Sequence, residues 1–289
     1  MGEQKAREKV FPMEQQKKIA AINDFCGFGR CSLAVALPII SAMQIQCCPL
    51  PTSIFSNHTG YDSFYYTDFT SHMGAYMDQW EKLGLTFDGI LTGFLGSAEQ
   101  IDLVCTFMER FKKPHTVTVV DPVMGDDGAL YSTYSPLAAE GMRRLLQYAD
   151  ILTPNLTEAC ILTGRDYLPD PGQEELLELC RELHAMGPEK IVISGLERGE
   201  DLENFVYRHG QPPLVVREHK TGPCRAGTGD VFASILAADA VKGVELGASV
   251  ARASAFIAKA LRRTMDRRVP QPDGICFEDY LYELGGNRI

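Results

Sequence analysis

The sequence predicts an α/β fold with a mostly parallel sheet. Apolar runs of four to six residues alternate with helical stretches of ten to fifteen, and polar or glycine-rich segments follow the runs directly. Short runs with no polar face belong to strands buried on both sides, the condition of a parallel sheet between helices. One segment breaks the rhythm like a hairpin and predicts an antiparallel edge.

The elements follow in order. Lys17–Asn23 has the length of a first core strand and leads into a glycine-containing turn, Asp24–Gly29, before a helix over about Arg30–Met43. Phe87–Gly93 precedes a helix over Ala98–Phe111, and Thr116–Val120 precedes Asp121-Pro122. Ile151–Thr153 comes before Pro154-Asn155, and a helix over Gln173–Met186 leads to a strand at Lys190–Ser194. Asn204–Arg208 and Leu214–Arg217 flank His209–Pro213 as the two arms of the hairpin. The Ala-rich stretch Val231–Arg263 reads as two helices divided near Gly243–Gly247. Residues 1–16 are polar, mixed in charge and without a period, so a loose leader is expected there, and 17–289 form one domain, since no repeat, low-complexity linker or composition shift divides them.

Composition narrows the function. A chain of 289 residues, 45% hydrophobic and 23% charged, suits a compact enzyme-sized unit. Its charge, 28 basic against 38 acidic residues or −10, disfavours nucleic acid as a partner, while helix N-termini, placed cations and Mg²⁺ still allow a nucleotide. The longest apolar stretch, Cys31–Met43, is interrupted by Ser32, Pro38 and Ser41 and falls short of the roughly 18–20 residues of a membrane span. Nine cysteines, an odd count with no paired C-x-x-C and no apolar signal region, fit a reducing cytoplasm and buried thiols better than disulfides or structural zinc.

Ligands of open parallel sheets bind beyond the carboxyl ends of the strands. The sharpest segment there is Arg225-Ala226-Gly227-Thr228-Gly229-Asp230, which runs straight into an apolar helix. Its glycines let the backbone turn closely around a ligand, and the free N–H groups at the helix start point at an anion such as a phosphoryl group in transfer. Asp230 is either an acidic residue favoured by the helix dipole or the acceptor of a proton from an attacking hydroxyl. Asp121–Gly128 follows a strand and carries three carboxylates; Asp121 and Asp126 suit Mg²⁺, directly or through water, while Asp126–Gly128 also suits a solvated turn. Asn155 and Glu158 have capping-box spacing, and the same pair could instead hold Mg²⁺-bound water near a nucleotide. Gly27-Phe28-Gly29 opens like a dinucleotide fingerprint, but no Asp or Glu lies from Phe25 to Tyr61 to take ribose hydroxyls, so NAD is disfavoured. A Walker A sequence is absent, and His58 lacks partners at hydrolase spacing.

The ordered set Asn23-Asp24…Gly27, Ser56-Asn57-His58-Thr59-Gly60-Tyr61, Leu91-Thr92-Gly93-Phe94, Asp121–Asp126, Thr153-Pro154-Asn155…Glu158 and Gly227-Thr228-Gly229-Asp230 resembles the pyridoxal kinases of the ribokinase superfamily, over about residues 17–285. The resemblance implies a ribokinase-like three-layer sandwich and ATP-dependent phosphorylation of the 5′-hydroxymethyl group of pyridoxal, pyridoxamine or pyridoxine, with Mg²⁺, K⁺ as a monovalent cation, and a homodimer. It assigns Asp230 as catalytic base and the backbone of Gly227, Thr228 and Gly229 as anion hole. Asp121, Asp126, Asn155 and Glu158 fall in the metal and phosphate region, and Thr153 and Ser194 on the nucleotide side. Ser56, His58 and Thr59 fall in the ring segment, and Phe94 stands where the family often has Tyr. Asn23 or Asp24 meets the ring nitrogen or its hydroxyl, where pyridoxal kinases commonly have Ser. That departure and the glycine-rich first loop raise the alternative, a hydroxymethylpyrimidine kinase of thiamine synthesis, whose last motif usually ends in Cys where this chain has Asp230. A non-catalytic vitamin B6 carrier or sensor would not need Asp230, both glycines and the acidic loop. A lid is expected at Ser63–Asp68 or around Tyr131–Pro136.

Overall fold

The computed structural model describes residues 16–131, 134 and 136–286, so the expected leader, apart from Gln16, and part of the second lid candidate lie outside the described residues. The chain opens with β1 (Lys18–Phe28), α1 (Leu33–Ala42), β2 (Gln46–Asn57), a short β3 (Tyr66–Asp68) and α2 (Thr70–Lys82). Then come β4 (Gly89–Thr92), α3 (Ala98–Phe111), β5 (Val117–Val120), a ribbon of β6 (Gly125–Asp126) and β7 (Ala129–Leu130), and α4 (Pro136–Leu145). They are followed by β8 (Ile151–Leu152), α5 (Leu156–Thr163), α6 (Gln173–Ala185), β9 (Lys190–Arg198), β10 (Asp201–Arg208) and β11 (Leu214–His219). Helices α7 (Thr228–Val241), α8 (Leu246–Asp266) and α9 (Leu281–Leu284) complete the described chain.

Nine strands form one sheet in the order β11-β10-β9-β8-β5-β4-β1-β2-β3, and β6 pairs only with β7. The six strands from β9 to β2 run parallel, as the apolar runs predict. Antiparallel pairing closes both edges: β10 and β11 on one side, and β3 on the other. Strand order reverses around β1, which lies between β2 and β4, so the β1/β4 crevice is the topological switch point where ligands of such sheets bind.

Several elements differ from the sequence reading. The glycine-containing segment after Asn23 stays in β1: after a register shift between Asn23 and Phe25, pairing resumes at Phe25 with Ile54 and runs on to Phe28 with Asn57. A long partner strand thus overrides the turn preference of Gly27. That partner, β2, has Pro49 and Pro51 in its interior, which mask its strand signal, and α2 buries only Met73 and Met77 and so shows little period. Expected helix α3 forms over the predicted residues, with the Ser97 hydroxyl accepting from the Gln100 N–H at its start.

Successive strand side chains point to opposite faces, and two cores result. Ile19, Leu91, Val119, Ile151 and Val192 join α1, α7 and α8 on one face. Ile22, Ile90, Val120, Leu152 and Ile193 join α2 to α6 on the other, with Phe87 and Phe107 fully buried among them. The same alternation carried one residue further places Asn23, Gly93, Asp121, Thr153 and Ser194 in a row on the α7 face. Asn23, Gly93 and Asp121, from three adjacent strands, therefore lie together near the start of α7.

Gln100, with no exposed surface, ties the β2–β3 edge to α3: its amide donates to Thr52 O at 2.9 Å, Thr70 Oγ1 at 2.9 Å and Asp68 Oδ2 at 3.3 Å, and its carbonyl accepts from the Gly96 N–H at 2.8 Å. Gln100→Leu strands the Gly96 N–H and the Thr70 and Asp68 side-chain acceptors, while Thr52 O keeps the Phe69 N–H. It should lower stability by about 2–5 kcal/mol, read as a lower urea midpoint at unchanged slope.

Candidate active site

Helix α7 begins at Gly227, whose φ of 84° lies in the left-handed region. A side chain there would place its Cβ 2.0 Å from the carbonyl oxygen of Arg30, so only glycine lets the α7 loop close on the residues after β1. Thr228 bonds back to Arg225 O through its hydroxyl at 3.1 Å. The Thr228 N–H also points to Arg225 O at 3.5 Å, and a Cβ built at Gly229 comes 4.0 Å from Asp121 Oδ2.

Asp230, in that first turn, is reached by the Asn23 amide, which donates to its Oδ1 at 3.2 Å, and by the Ser32 backbone N–H. Burial pushes the Asp230 carboxyl up to about 6, with Asp24 adding to the shift and these two donors opposing it. Asp24 is 5% exposed; it accepts from Cys26 Sγ at 3.2 Å and from the Ser32 hydroxyl, and burial raises it as well. Ser32 thus serves both carboxylates, from a backbone conformation (φ 55°, ψ −135°) that L-residues rarely adopt. Of the two candidates for the vitamin ring, neither side chain is free: Asn23 is turned to Asp230, and Asp24 to Cys26 and Ser32.

Asp121 stands between this group and α5. Burial, then Glu158 and then Asp230, raise it well above the ordinary carboxylate range. Both alternatives for Asn155 and Glu158 share one geometry. The capping box forms, with Asn155 Oδ1 accepting from the Glu158 N–H at 2.8 Å and Glu158 Oε2 from the Asn155 N–H at 2.8 Å. Glu158 also accepts from the Met124 N–H at 2.9 Å, and Asn155 donates to Gly125 O at 2.8 Å, which ties α5 to the Asp121 loop. Burial pushes Glu158 up to about 7. Thr153 lies buried above Val120, and Ser194 forms a parallel bridge with Asn155, extending the row toward β9. Asp126 is exposed on the β6–β7 turn and caps the Asp127 N–H at 3.0 Å.

Among the described residues no three His, Cys, Asp or Glu side chains form a metal-ligating cluster, so Asp121, Asp126 and Glu158 do not make a closed cage. None of Asp24, Asp121, Glu158 and Asp230 is paired with Lys or Arg among the described residues. An open all-oxygen set with raised pKa values fits a hard divalent cation whose remaining ligands come from phosphate and water.

The expected ring segment closes the other side. The Ser56 hydroxyl pairs with Asn57 and the Tyr65 N–H, Thr59 is exposed, and Phe94 is half-buried with its ring centroid 6.4 Å from that of Tyr134. His58 accepts from the Gly60 N–H on Nδ1 at 3.1 Å, so its Nε2 carries the proton given to Pro272 O at 2.6 Å. Ser63–Asp68 contains β3 and is hydrogen-bonded to β2. Sequence reasoning missed the C-terminal segment altogether. Arg30 bonds Asp273 O and Glu278, the Tyr61 hydroxyl donates to Asp273 Oδ1 at 2.8 Å, and Arg225 bonds the carbonyls of Val269 and Pro270. A polar tail without a motif gave no signal.

With this geometry in place, the relatives can be named. The phosphomethylpyrimidine kinase family profile matches residues 40–270. A pyridoxal kinase of Bos taurus is 33% identical over 207 residues, 64% of each chain, and one of Arabidopsis thaliana is 30% identical over 234 residues, 75% of this chain and 72% of its own. This chain thus spans about two thirds of the bovine relative. A crystal structure described as a candidate phosphomethylpyrimidine kinase from Bacteroides thetaiotaomicron superposes with a TM-score of 0.92 at 37% identity, covering 95% of this chain and 96% of its own. A second crystal form of it, TM-score 0.89 with 93% and 96% covered, contains pyridoxal. Fold and site define a member of the ribokinase superfamily. Within it, the chain belongs to the family of phosphomethylpyrimidine and pyridoxal kinases.

Gly227→Ala should force Arg30 and the α7 loop apart. The expected loss is about 2–4 kcal/mol, visible as a lower thermal midpoint, together with weaker protection by added nucleotide.

Proposed function

We propose that this protein transfers the γ-phosphoryl group of ATP to the 5′-hydroxymethyl group of a B6 vitamer, pyridoxal, pyridoxamine or pyridoxine. The observation that carries the reading is Asp230: a carboxylate in the first turn of α7, at the switch point, beside N–H groups able to hold a phosphoryl oxygen. The similar pyridoxal-containing structure supports the substrate class. The family profile keeps hydroxymethylpyrimidine as the second reading.

In the proposed mechanism the vitamer hydroxyl lies against Asp230, which accepts its proton as the oxygen attacks phosphorus in line. The N–H groups of Gly227, Thr228 and Gly229 receive the charge that develops on the phosphoryl oxygens, and their fixed direction spares reorganisation during the step. His58, Thr59, Ser56 and Asp24 border the ring, with Phe94 offering it an apolar face. Thr153, Asn155 and Ser194 border the nucleotide. Asp121, assisted by Glu158 and Asp126 through water, would hold Mg²⁺, which when bound neutralises phosphate charge. A homodimer and activation by K⁺ complete the reading. No helix among the described residues is long and apolar enough to cross a membrane.

Three outcomes are expected. ATP consumption with Mg²⁺ and K⁺ should be faster with a B6 vitamer than with hydroxymethylpyrimidine, with the phosphorylated product identified by mass; preference for the pyrimidine would transfer the enzyme to the second reading. Asp230→Asn should lower kcat by about two to four orders of magnitude, and near-normal turnover would remove Asp230 from its role. Because the base acts ionised and its carboxyl in the free protein is pushed up to about 6, kcat/KM for the vitamer should be level above that pH and fall about tenfold per unit below it.

A further inference from the structure

We propose that Asn23 is the positioning residue of this site, its amide holding the Asp230 carboxylate in the direction from which it meets the substrate hydroxyl. The proposal rests on Asp230 being the proton acceptor. It assigns Asn23 to the base instead of the vitamin ring.

The geometry fixes the amide from behind. Asn23 Oδ1 accepts two backbone N–H groups, Phe94 at 2.8 Å and Asp24 at 2.9 Å. Turning the amide over would set its NH₂ against both donors, so Nδ2 has one direction left, toward Asp230 Oδ1 at 3.2 Å. Asn23 is only 7% exposed, which keeps water from competing for either end. The space it occupies exists because residue 93 is glycine: a Cβ there would lie 2.3 Å from Nδ2 and 2.7 Å from Oδ1. One side chain thereby ties β1, the end of β4 and α7 together across the switch point. Asp24, on the same strand, repels Asp230, and the Asn23 donor opposes that repulsion. Asp230 keeps its remaining lone pairs for the Ser32 N–H and the substrate.

A double-mutant cycle in the full-length chain tests this, with ATP and the best vitamer. Asn23→Asp keeps the size and the two backbone bonds but replaces the donor by a second carboxylate. It should lower kcat about tenfold to a hundredfold while KM for either substrate moves less than about threefold. In the Asp230→Asn background the same change should cost less than about twofold, because Asn23 acts through the group already removed. An equal loss in both backgrounds, or a loss confined to KM, overturns the proposal and leaves the assignment of Asp230 standing. Near-normal turnover of Asp230→Asn alone overturns the base and the proposal with it. Should Asn23→Asp fail to fold, Gly93→Ala displaces the amide with Asn23 retained, and the same cycle is read with it.

Discussion

Four carboxylates, Asp24, Asp121, Glu158 and Asp230, are held close together with no Lys or Arg paired to them among the described residues, and the architecture of this end of the molecule follows from that concentration of like charge. The opposing terms are fixed dipoles. Backbone N–H groups of Ser32, Met124 and Asn155 point at the carboxylates, and the N-termini of α5 and α7 converge on the same cleft, with Glu158 and Asp230 each in a first turn. Such dipoles offset only part of the cost of burial and of the repulsion, and all four carboxyls stay raised, burial being the largest cause for each. The site is left poised for a cation and for a substrate that arrives with its own counterion.

The sheet explains why so few residues suffice. Helix α7 begins over the β1, β4 and β5 positions, and the pleat delivers one side chain from each of five adjacent strands to the same side. Four of those positions carry a polar group, and the fifth, Gly93, is the space into which the first, Asn23, extends. A charged phosphate chain can therefore be met along its length by groups separated by a strand spacing, without a dedicated loop for each contact.

Most of the parallel sheet was legible because its strands are short, apolar and followed by polar residues, and α3 formed over the expected Ala98–Phe111 with Ser97 as its cap. Asp230 and Gly227 stood out because a glycine pair running into an apolar helix has few other uses. What stayed hidden depended on partners. Strand β2 carries prolines that only a drawn-out pairing with β1 explains, and the direction of the Asn23 amide depends on Phe94, 71 residues away. Spacing could not choose between capping and metal roles for Glu158, since its backbone bonds and its place beside Asp121 coexist. The C-terminal segment offered no pattern, because much of its contribution is made through carbonyl oxygens that any sequence possesses, and Asp273 and Glu278 stand at no motif spacing.

That segment also bears on the order in which the protein is made. Arg30 reaches Asp273 and Glu278 across 243 and 248 residues, and His58 and Tyr61 reach Pro272 and Asp273 across 214 and 212. The loops that border the proposed ring site leave the ribosome more than 200 residues before these partners do. A nascent chain can thus complete its central strands while the substrate side stays unformed, and ligand-binding competence waits for residues 269–278 to emerge.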